Sequence, residues 1–547
     1  MVTIQIKVES VWPVLHDKSK FLEDELLLLN RQITGVAFFL MFLVPAPPAL
    51  ARGHASRTLV HTRSGLVRGV IEGNLRAFRG LPYAAPPTGS RRWRPPEPVI
   101  GWPGVRDASS FGPLCPQITA AGNLTGNEDC LTLNVFTAAA QPAHDQPVMV
   151  FFHGGGNARG SASQPSFDKP LLATRGVIVV TAEYRLGVLG QFVHPALSAE
   201  SGGTSGNYLL MDMIAALRWV RDNIGAFGGD PDRVMVFGQS AGSYETEGLL
   251  ASPAAQGLFA TAGMESGSIP SGQSMTQTDM QAAHAPLAAR VGCDGAPDVL
   301  ACLRAVPALT LVTNQAGLPF NLTLEPRVLP VDPFDMIAQN GLPVPLLIGS
   351  NSAENSTAPD PNNPLDSAGY EARIRAYFDP LGAGISDQVL ELYPVTNYQT
   401  PWDALIDLGS DYDVTCETRS FAMAAAQSSR QPVWRYLFTH RFENDPDLSL
   451  LGPFHRAELF FVFGTLPVAT DSDTPYVPSD AEVALSNQMM DYWVRFATHG
   501  NPNGLGALHW RRYRAATEAI LEFNETPQHL AGYHVEQCNY LQTLPQP

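Results

Sequence analysis

Residues 234–242 read Val-Met-Val-Phe-Gly-Gln-Ser-Ala-Gly, a short apolar run that leads directly into a serine flanked by small residues. The run Val234–Phe237 predicts a buried strand, and Gly238–Gly242 has the pattern G-x-S-x-G. After a strand, small residues permit a strained turn that holds the serine hydroxyl out of the sheet. This context predicts Ser240 as a nucleophile. The pentapeptide alone could arise by chance in a chain with 47 glycines.

The rest of the chain alternates short apolar runs with helical patterns. Further buried strands are predicted at Val148–Phe152, Val177–Ala182, Pro345–Gly349 and Val433–Phe438. A helix is predicted over Met211–Phe227, with Met213, Leu217, Val220 and Ile224 on one face. This alternation predicts an α/β protein with a large, mostly parallel central sheet covered by helices on both faces. Ligands of such sheets bind beyond the carboxyl ends of the strands.

A glycine-rich motif follows the predicted strand Val148–Phe152. Residues 153–156 read His-Gly-Gly-Gly, and hydrolases with a G-x-S-x-G serine place half of their oxyanion hole at such a motif. Backbone N–H groups can approach an oxyanion closely only where no Cβ intervenes. We therefore expect the donors to be Gly154, Gly155 and Ala241. The alternative is a turn that only ends the strand, and His153 is interpreted as a structural residue of that turn.

The N-terminus predicts a secretory signal. Residues 1–30 form a net acidic extension, and after them Val36–Val44 is an apolar run followed by prolines. Ala49–Ala51 has the small-residue spacing of a cleavage site. A membrane anchor is the alternative, but this run is too short to cross a bilayer. Residues 1–51 are thus interpreted as extension and signal, and 52–547 as a single catalytic domain with a loop-rich lid region.

Charge and cysteine content restrict the possible partners and the cellular compartment of the protein. The net charge is −17 and no Lys/Arg-rich run occurs, which argues against nucleic-acid binding. No cluster has the spacing of metal ligands, so we expect neither a metal nor another cofactor. An even number of cysteines in an exported chain predicts disulfides, in any of fifteen connectivities; in the cytosol they would be free thiols. The six are Cys115, Cys130, Cys293, Cys302, Cys416 and Cys538.

Motifs along nearly the whole predicted domain resemble the type-B carboxylesterases, the family that includes cholinesterases and bacterial carboxylesterases. They are Phe78–Ala84 (FRGLPYA), Glu128–Asn134 (EDCLTLN), Tyr184–Gly187 (YRLG), Phe227–Pro231 (FGGDP), Trp493–Ala497 (WVRFA) and Gly500–Asn503 (GNPN). Together they are specific, and the resemblance implies an α/β-hydrolase fold.

The resemblance also implies the other two members of a catalytic triad. In this family the acid is a glutamate in a segment like G-x-x-x-D-E, and Gly349–Glu354 fits, with Ala353 in place of the usual aspartate. The family histidine lies in G-x-x-H-x-x-E before F-V-F-G, which matches Gly452–Glu458. The resemblance thus makes Glu354 the acid and His455 the base, in the order Ser, acid, His that the fold requires.

Further roles are implied by the resemblance alone. Ser266 is expected to hydrogen-bond the carboxylate of Glu354. The cysteines are expected to pair as Cys115–Cys130, Cys293–Cys302 and Cys416–Cys538. Two residues depart from the family pattern: Gln239 stands where glutamate is common, and Glu245 where a small hydroxyl residue is usual. Both departures are expected to reshape the surroundings of the triad.

These features predict a secreted or periplasmic serine carboxylesterase that works through an acyl-enzyme and prefers neutral short-chain or aryl esters. The partner is a small-molecule ester, and no stable membrane span is expected. A lipase or an amidase with the same triad is an alternative. A non-catalytic binding protein on the same scaffold is another, although all three triad positions are filled.

Overall fold

A computed structural model describes residues 58–140, 144–356, 364–470 and 474–545. They fall in one compact unit, Gly53–Pro547. The predicted extension and signal, residues 1–51, lie outside the described residues. Within the described residues, no helix combines the length and the apolar character needed to cross a membrane.

The strands are β1 Leu59–Thr62, β2 Gly65–Arg68, β3 Val70–Glu72, β4 Leu75–Pro82, β5 Val105–Asp107, β6 Gln117–Ile118, β7 Leu124–Thr125, β8 Thr132–Ala138, β9 Gln146–Phe152, β10 Ile178–Ala182, β11 Gly229–Gln239, β12 Thr261–Glu265, β13 Met275–Thr276, β14 Thr323–Leu324, β15 Leu346–Asn351, β16 Val433–Phe438, β17 Ala519–Phe523 and β18 Gln528–Ala531.

The α-helices are α1 Gly187–Gln191, α2 Pro195–Glu200, α3 Tyr208–Asn223, α4 Ala241–Ala251, α5 Gln277–His284, α6 Pro286–Arg290, α7 Val299–Ala305, α8 Ala308–Thr313, α9 Pro333–Asn340, α10 Ser367–Phe378, α11 Ile385–Leu392, α12 Pro401–Ser410, α13 Cys416–Ser428, α14 Pro446–Leu451, α15 Ala457–Val462, α16 Asp480–His499 and α17 Val535–Leu541. A π-helix, Asp411–Thr415, joins α12 to α13.

An 11-stranded sheet forms the centre, in the order β18-β17-β16-β15-β12-β11-β9-β10-β8-β4-β3. Every pairing from β10 through β17 is parallel, whereas the pairings beyond both ends are antiparallel. The predicted mostly parallel sheet and the α/β-hydrolase fold are confirmed. All five predicted strands are present, with end residues that differ by at most two positions except at the start of β11, which lies five residues earlier than predicted.

Both faces of the sheet are covered because its central strands bury alternate side chains on opposite sides. In β11, Val234 and Val236 belong to a core that also contains Met213 of α3. Met235 and Phe237 belong to a second core. Alternating burial of this kind is typical of a sheet between two helical layers. The predicted helix over Met211–Phe227 is α3 followed by a 3-10 turn, Ile224–Phe227.

A third, smaller core joins the π-helix region to the C-terminus. It packs side chains of α10, α11 and α12 against α17, and includes Cys416 and Cys538. These two cysteines form a disulfide across 122 residues. The other pairs are Cys115–Cys130 and Cys293–Cys302. The structure therefore pairs the six cysteines as the resemblance implies.

Candidate active site

Ser240 stands at a sharp turn between β11 and α4. Its backbone has φ 59° and ψ −125°, a sparsely populated conformation that costs of order 1–3 kcal/mol. The N–H of Ser240 donates to the carbonyl oxygen of Glu265 at 2.9 Å, which fixes the turn to β12. A Cβ on Gly238 would clash with Gly242, and one on Gly242 would clash with the carbonyl oxygen of Phe152. Glycine is therefore required on both sides of the serine.

Glu354 and His455 are brought together beyond the carboxyl end of β15. His455 Nδ1 donates to Glu354 Oε2 at 2.5 Å, and the N–H of Asn351 donates to Glu354 Oε1 at 2.7 Å. Burial of the imidazole opposes its protonation, but the carboxylate of Glu354 outweighs that effect and raises the pKa of His455 above its ordinary value. The pair has the geometry of a base oriented by an acid.

Two contacts hold the acid turn against the histidine loop. The N–H of Ala353 donates to the carbonyl oxygen of Pro453 at 3.2 Å, and Asn351 Nδ2 donates to that of Phe454 at 2.8 Å. The position where the family has aspartate, Ala353, thus contributes through its backbone. Its missing carboxylate leaves the Glu354–His455 contact intact.

Gln239 occupies the free side of the imidazole. Its Nε2 lies 3.1 Å from His455 Nε2. Because Nδ1 carries the proton donated to Glu354, Nε2 accepts from the Gln239 amide. Within the described residues, Ser240 Oγ makes no hydrogen bond to His455. Catalytic hydrogen bonds are often formed only with substrate present. In the structure the amide of Gln239 therefore takes the place at His455 Nε2 that Ser240 Oγ needs.

The glycine loop after β9 faces the serine turn. A Cβ on Gly154 would lie 2.8 Å from Ser240 Cβ, so only glycine can bring its backbone this close. Gly155 has φ 122°. In the described part of the chain, neither Gly154 nor Gly155 donates its N–H to another group. Ala241, the third expected donor, is the first residue of α4. Two of the three expected oxyanion donors, Gly154 and Ala241, therefore lie beside Ser240, and Gly155 follows Gly154 in the same loop.

His153 lies behind this loop, as interpreted from the sequence. It is buried, its Nδ1 is 2.9 Å from the carbonyl oxygen of Gly154, and its ring stacks on Tyr184 at 4.4 Å. Tyr184 also donates its hydroxyl to the carbonyl oxygen of His153 at 2.5 Å. These contacts make His153 a support of the glycine loop.

The expected contact of Ser266 with Glu354 is wrong. Ser266 Oγ donates instead to Glu458 Oε1, at 3.5 Å, and Glu458 also accepts from Asn351 Nδ2. Burial and the nearby charge of Glu354 raise the pKa of Glu458 to about 7. The sequence showed Glu458 only as the last letter of the histidine motif. Glu458 lies three residues after His455, as the second residue of α15, and is fully buried.

A cavity of about 310 Å³ opens beside the serine turn. Ala241, Tyr244 and Glu245 of α4 line one side, and the π-helix lines another with Tyr412 and Asp413. Of residues 157–169, Asn157 alone lines the cavity. None of the described residues from 364 to 370 lines the cavity, because segments 268–274 and 320–322 lie there instead.

Two groups among the described residues have the composition of a metal site, but in the first, Asp411 with Cys416 and Cys538, the cysteines are joined in a disulfide. Candidate ligand atoms of Asp407, Asp411 and His534 lie within 4.8 Å of one another. Asp411, however, accepts from His534 Nδ1 at 2.6 Å and from Tyr393 at 2.7 Å, and Asp407 accepts from Tyr398 at 2.6 Å. Because these atoms already bind one another, the cluster is a hydrogen-bonded network, and we assign no metal to it.

Comparisons with known proteins show the family of this chain. The sequence model described as "Carboxylesterase family" matches residues 56–541. Para-nitrobenzyl esterase of Bacillus subtilis (strain 168) is 36% identical over 480 residues, which cover 85% of this chain and 94% of that protein. Fumonisin B1 esterase of Sphingopyxis macrogoltabida is 33% identical over 503 residues, covering 90% and 91%. A solved PNB esterase structure superposes with a TM-score of 0.73 at 33% identity, covering 89% of this chain and 100% of that one.

Proposed function

This chain belongs to the carboxylesterase family and is a carboxylic ester hydrolase, and from that premise we propose that it cleaves esters through an acyl-enzyme formed on Ser240. The observation that carries the proposal is the hydrogen-bonded pair Glu354–His455 beside the strained serine turn. Such a turn holds a nucleophile out of a sheet, and such a pair supplies a base of fixed tautomer.

In the proposed mechanism His455 Nε2 takes the proton of Ser240 Oγ while Oγ bonds to the ester carbonyl carbon. This step requires the Gln239 amide to release Nε2. The N–H groups of Gly154, Gly155 and Ala241 stabilise the oxyanion. His455 then returns the proton to the leaving alcohol, and a water deprotonated by His455 hydrolyses the acyl-enzyme. Glu354 stabilises the imidazolium that forms in each step.

The assignment of Ser240 is tested by Ser240→Ala with an activity-based probe. We expect ester hydrolysis to fall by roughly three orders of magnitude or more, with no labelling by a fluorophosphonate. Ser243→Ala is a matched control, since Ser243 is a buried serine of the same helix that donates to the carbonyl oxygen of Gly267 at 2.5 Å. Labelling of Ser240→Ala at the wild-type rate would refute the assignment.

We further propose a preference for neutral short-chain or aryl esters over choline esters. A quaternary ammonium is attracted to the face of an aromatic ring, an interaction worth roughly 0.5–2 kcal/mol. The segment between Cys115 and Cys130 contains no aromatic residue, so it cannot provide this interaction. Gln239 also carries no charge beside the nucleophile. The test compares kcat/KM for acetylthiocholine and its uncharged tert-butyl isostere. A tenfold preference for the cation would contradict the proposal and assign its binding to aromatic residues of the cavity, such as Phe320 or Tyr412.

Export with cleavage after Ala51 is the accompanying proposal on localisation. Three disulfides support an oxidising compartment. Mass spectrometry of the protein from its native host is expected to find an N-terminus at Arg52. A mature chain that retains Val36–Val44 would contradict this.

A further inference from the structure

The cavity beside Ser240 has an acidic wall. Glu245, Asp413 and Glu417 all line it, and its lining contains no lysine, arginine or histidine. Glu245 is fully buried on α4, five residues after the proposed nucleophile. A buried carboxyl without a cationic partner is costly and is seldom kept without a compensating contact.

Glu245 has one oxygen bound and one oxygen free. Asn157 Nδ2 donates to Glu245 Oε1 at 2.7 Å and to the carbonyl oxygen of Phe320 at 3.1 Å. Within the described residues, Glu245 Oε2 has no hydrogen-bond partner. The two bonds of Asn157 Nδ2 also fix its amide, which leaves Asn157 Oδ1 as a second buried acceptor without a partner. Both residues belong to the cavity lining, and their two unpaired oxygens are buried within that wall.

The protonation of Glu245 decides what these atoms can bind. Burial raises the pKa of Glu245 to about 8, although the Asn157 bond lowers it. At neutral pH the carboxyl therefore holds a proton, and because Oε1 already accepts from Asn157, that proton lies on the free oxygen Oε2. A hydroxyl group can accept from this O–H, and it can donate to the same oxygen once the proton is lost. An ammonium fits only the ionised form, and a carboxylate would face three acids without a base.

We propose that Glu245 is a specificity-determining residue that favours esters carrying a hydroxyl group on the portion that enters this cavity. The inference rests on the proposed esterase mechanism and adds the chemical class of its substrate. A typical buried hydrogen bond with an otherwise unpaired partner is expected to give about a tenfold gain in kcat/KM. Asn157 Oδ1 is a second unpaired acceptor in the same wall.

The test compares hydroxyl esters with methyl isosteres. On the acyl side these are 4-nitrophenyl 3-hydroxybutyrate and 3-methylbutyrate, and on the alcohol side 3-hydroxypropyl and butyl butyrate. We expect the wild-type enzyme to favour the hydroxyl ester about tenfold in kcat/KM in at least one pair. In Glu245→Leu the preference for the hydroxyl ester should fall below about twofold. The kcat/KM of this variant for the methyl isostere should stay at about a third or more of the wild-type value.

Two further variants separate binding from structural effects. Glu245→Gln keeps a donor and an acceptor at nearly the same volume, so it should retain most of the hydroxyl preference. Glu247→Gln is the control, because Glu247 is a buried carboxyl of the same helix that accepts from Ser268 Oγ at 3.0 Å and from the N–H of Ile269 at 2.7 Å. That variant should keep the wild-type preference.

The possible results distinguish a failure of the proposed role of Glu245 from a failure of the proposed esterase mechanism. Equal turnover of both members of each pair by the wild type, or an unchanged preference in Glu245→Leu, overturns the role of Glu245 while the esterase mechanism stands. A larger gain with 4-nitrophenyl 3-aminobutyrate than with the hydroxyl ester also overturns it, since the cavity would then select for positive charge through its acidic wall and not for a hydroxyl group through Glu245. If the wild-type enzyme hydrolyses none of these esters and is not labelled by a fluorophosphonate, the proposed function itself is refuted.

Discussion

Replacing Glu354 by glutamine should invert the tautomer of the proposed base. The N–H of Asn351 donates to Glu354 Oε1 at 2.7 Å, and a backbone N–H can only donate. In Glu354→Gln the amide oxygen therefore stays on Asn351, and the amide NH₂ group faces His455 Nδ1. That nitrogen must then accept, so the proton moves to Nε2. A histidine protonated on Nε2 cannot take the proton of Ser240.

The structure also disfavours the other orientation of the glutamine amide. Turning the amide over would place its NH₂ group against the N–H of Asn351 and leave a buried donor unpaired, at a cost of about 1–3 kcal/mol. An amide in place of the triad carboxylate lowers kcat by about 10⁴ in serine proteases, through the wrong tautomer. We expect a fall of about 10³–10⁴ in kcat here, equivalent to about 4–5.5 kcal/mol of transition-state stabilisation.

The assay is steady-state hydrolysis of 4-nitrophenyl butyrate with the melting temperature followed in parallel. Glu458→Gln is the matched control, since this buried carboxyl contacts Asn351 and Ser266 but not His455. We expect it to lose no more than about tenfold in kcat, because Glu458 makes no hydrogen bond to His455 and burial raises the pKa of its carboxyl, which favours the uncharged form that glutamine imitates. If Glu354→Gln keeps a tenth of the wild-type kcat, the tautomer argument is refuted.

Three other predictions follow from the site and the disulfides. Because the pKa of His455 is raised and only its neutral form accepts a proton, the acid limb of the pH profile of kcat/KM should lie above pH 6.5; a limb at or below that value contradicts the ion pair. Gly154→Ala should lower kcat about a hundredfold or more, since its Cβ would lie 2.8 Å from Ser240 Cβ; kinetics near wild type would contradict the loop assignment. Replacing Cys416 and Cys538 by alanine should lower the free energy of unfolding by up to about 5 kcal/mol, against about 3 kcal/mol for Cys293 and Cys302, because the longer loop loses more chain entropy; urea unfolding measures both, and the reverse order would contradict that account.

Much of the central sheet could be predicted because its parallel strands are buried on both faces. Such strands appear as continuous apolar runs, as in Val148–Phe152 and Val433–Phe438. The antiparallel strands at the ends, including Thr132–Ala138, were not predicted as strands. Their polar residues are interspersed with apolar ones, and the buried amide of Asn134 is paired with Gly80, Ala162 and Thr181. These partners are distant in sequence, and local patterns do not show them.

The triad could be predicted through motifs, whereas its surroundings could not. The sequence places Glu354 and His455 in recognisable segments, and the structure brings them to 2.5 Å. The partner of Ser266 was wrong because two buried carboxyls, Glu354 and Glu458, compete for that layer and sequence does not rank them. The position of Gln239 against the imidazole depends on a side-chain rotamer, which spacing does not encode.

The strained backbone of Ser240 has a consequence for how this molecule tolerates change. A residue held at φ 59° and ψ −125° destabilises the folded state by of order 1–3 kcal/mol. This is a sizeable fraction of the free energy of unfolding of a typical domain, about 5–15 kcal/mol. Selection for heat resistance alone would therefore favour relaxing this turn and would lose the nucleophile. Thermostable variants of this enzyme should be sought far from residues 238–242, for example by shortening exposed loops, where added stability does not oppose reactivity.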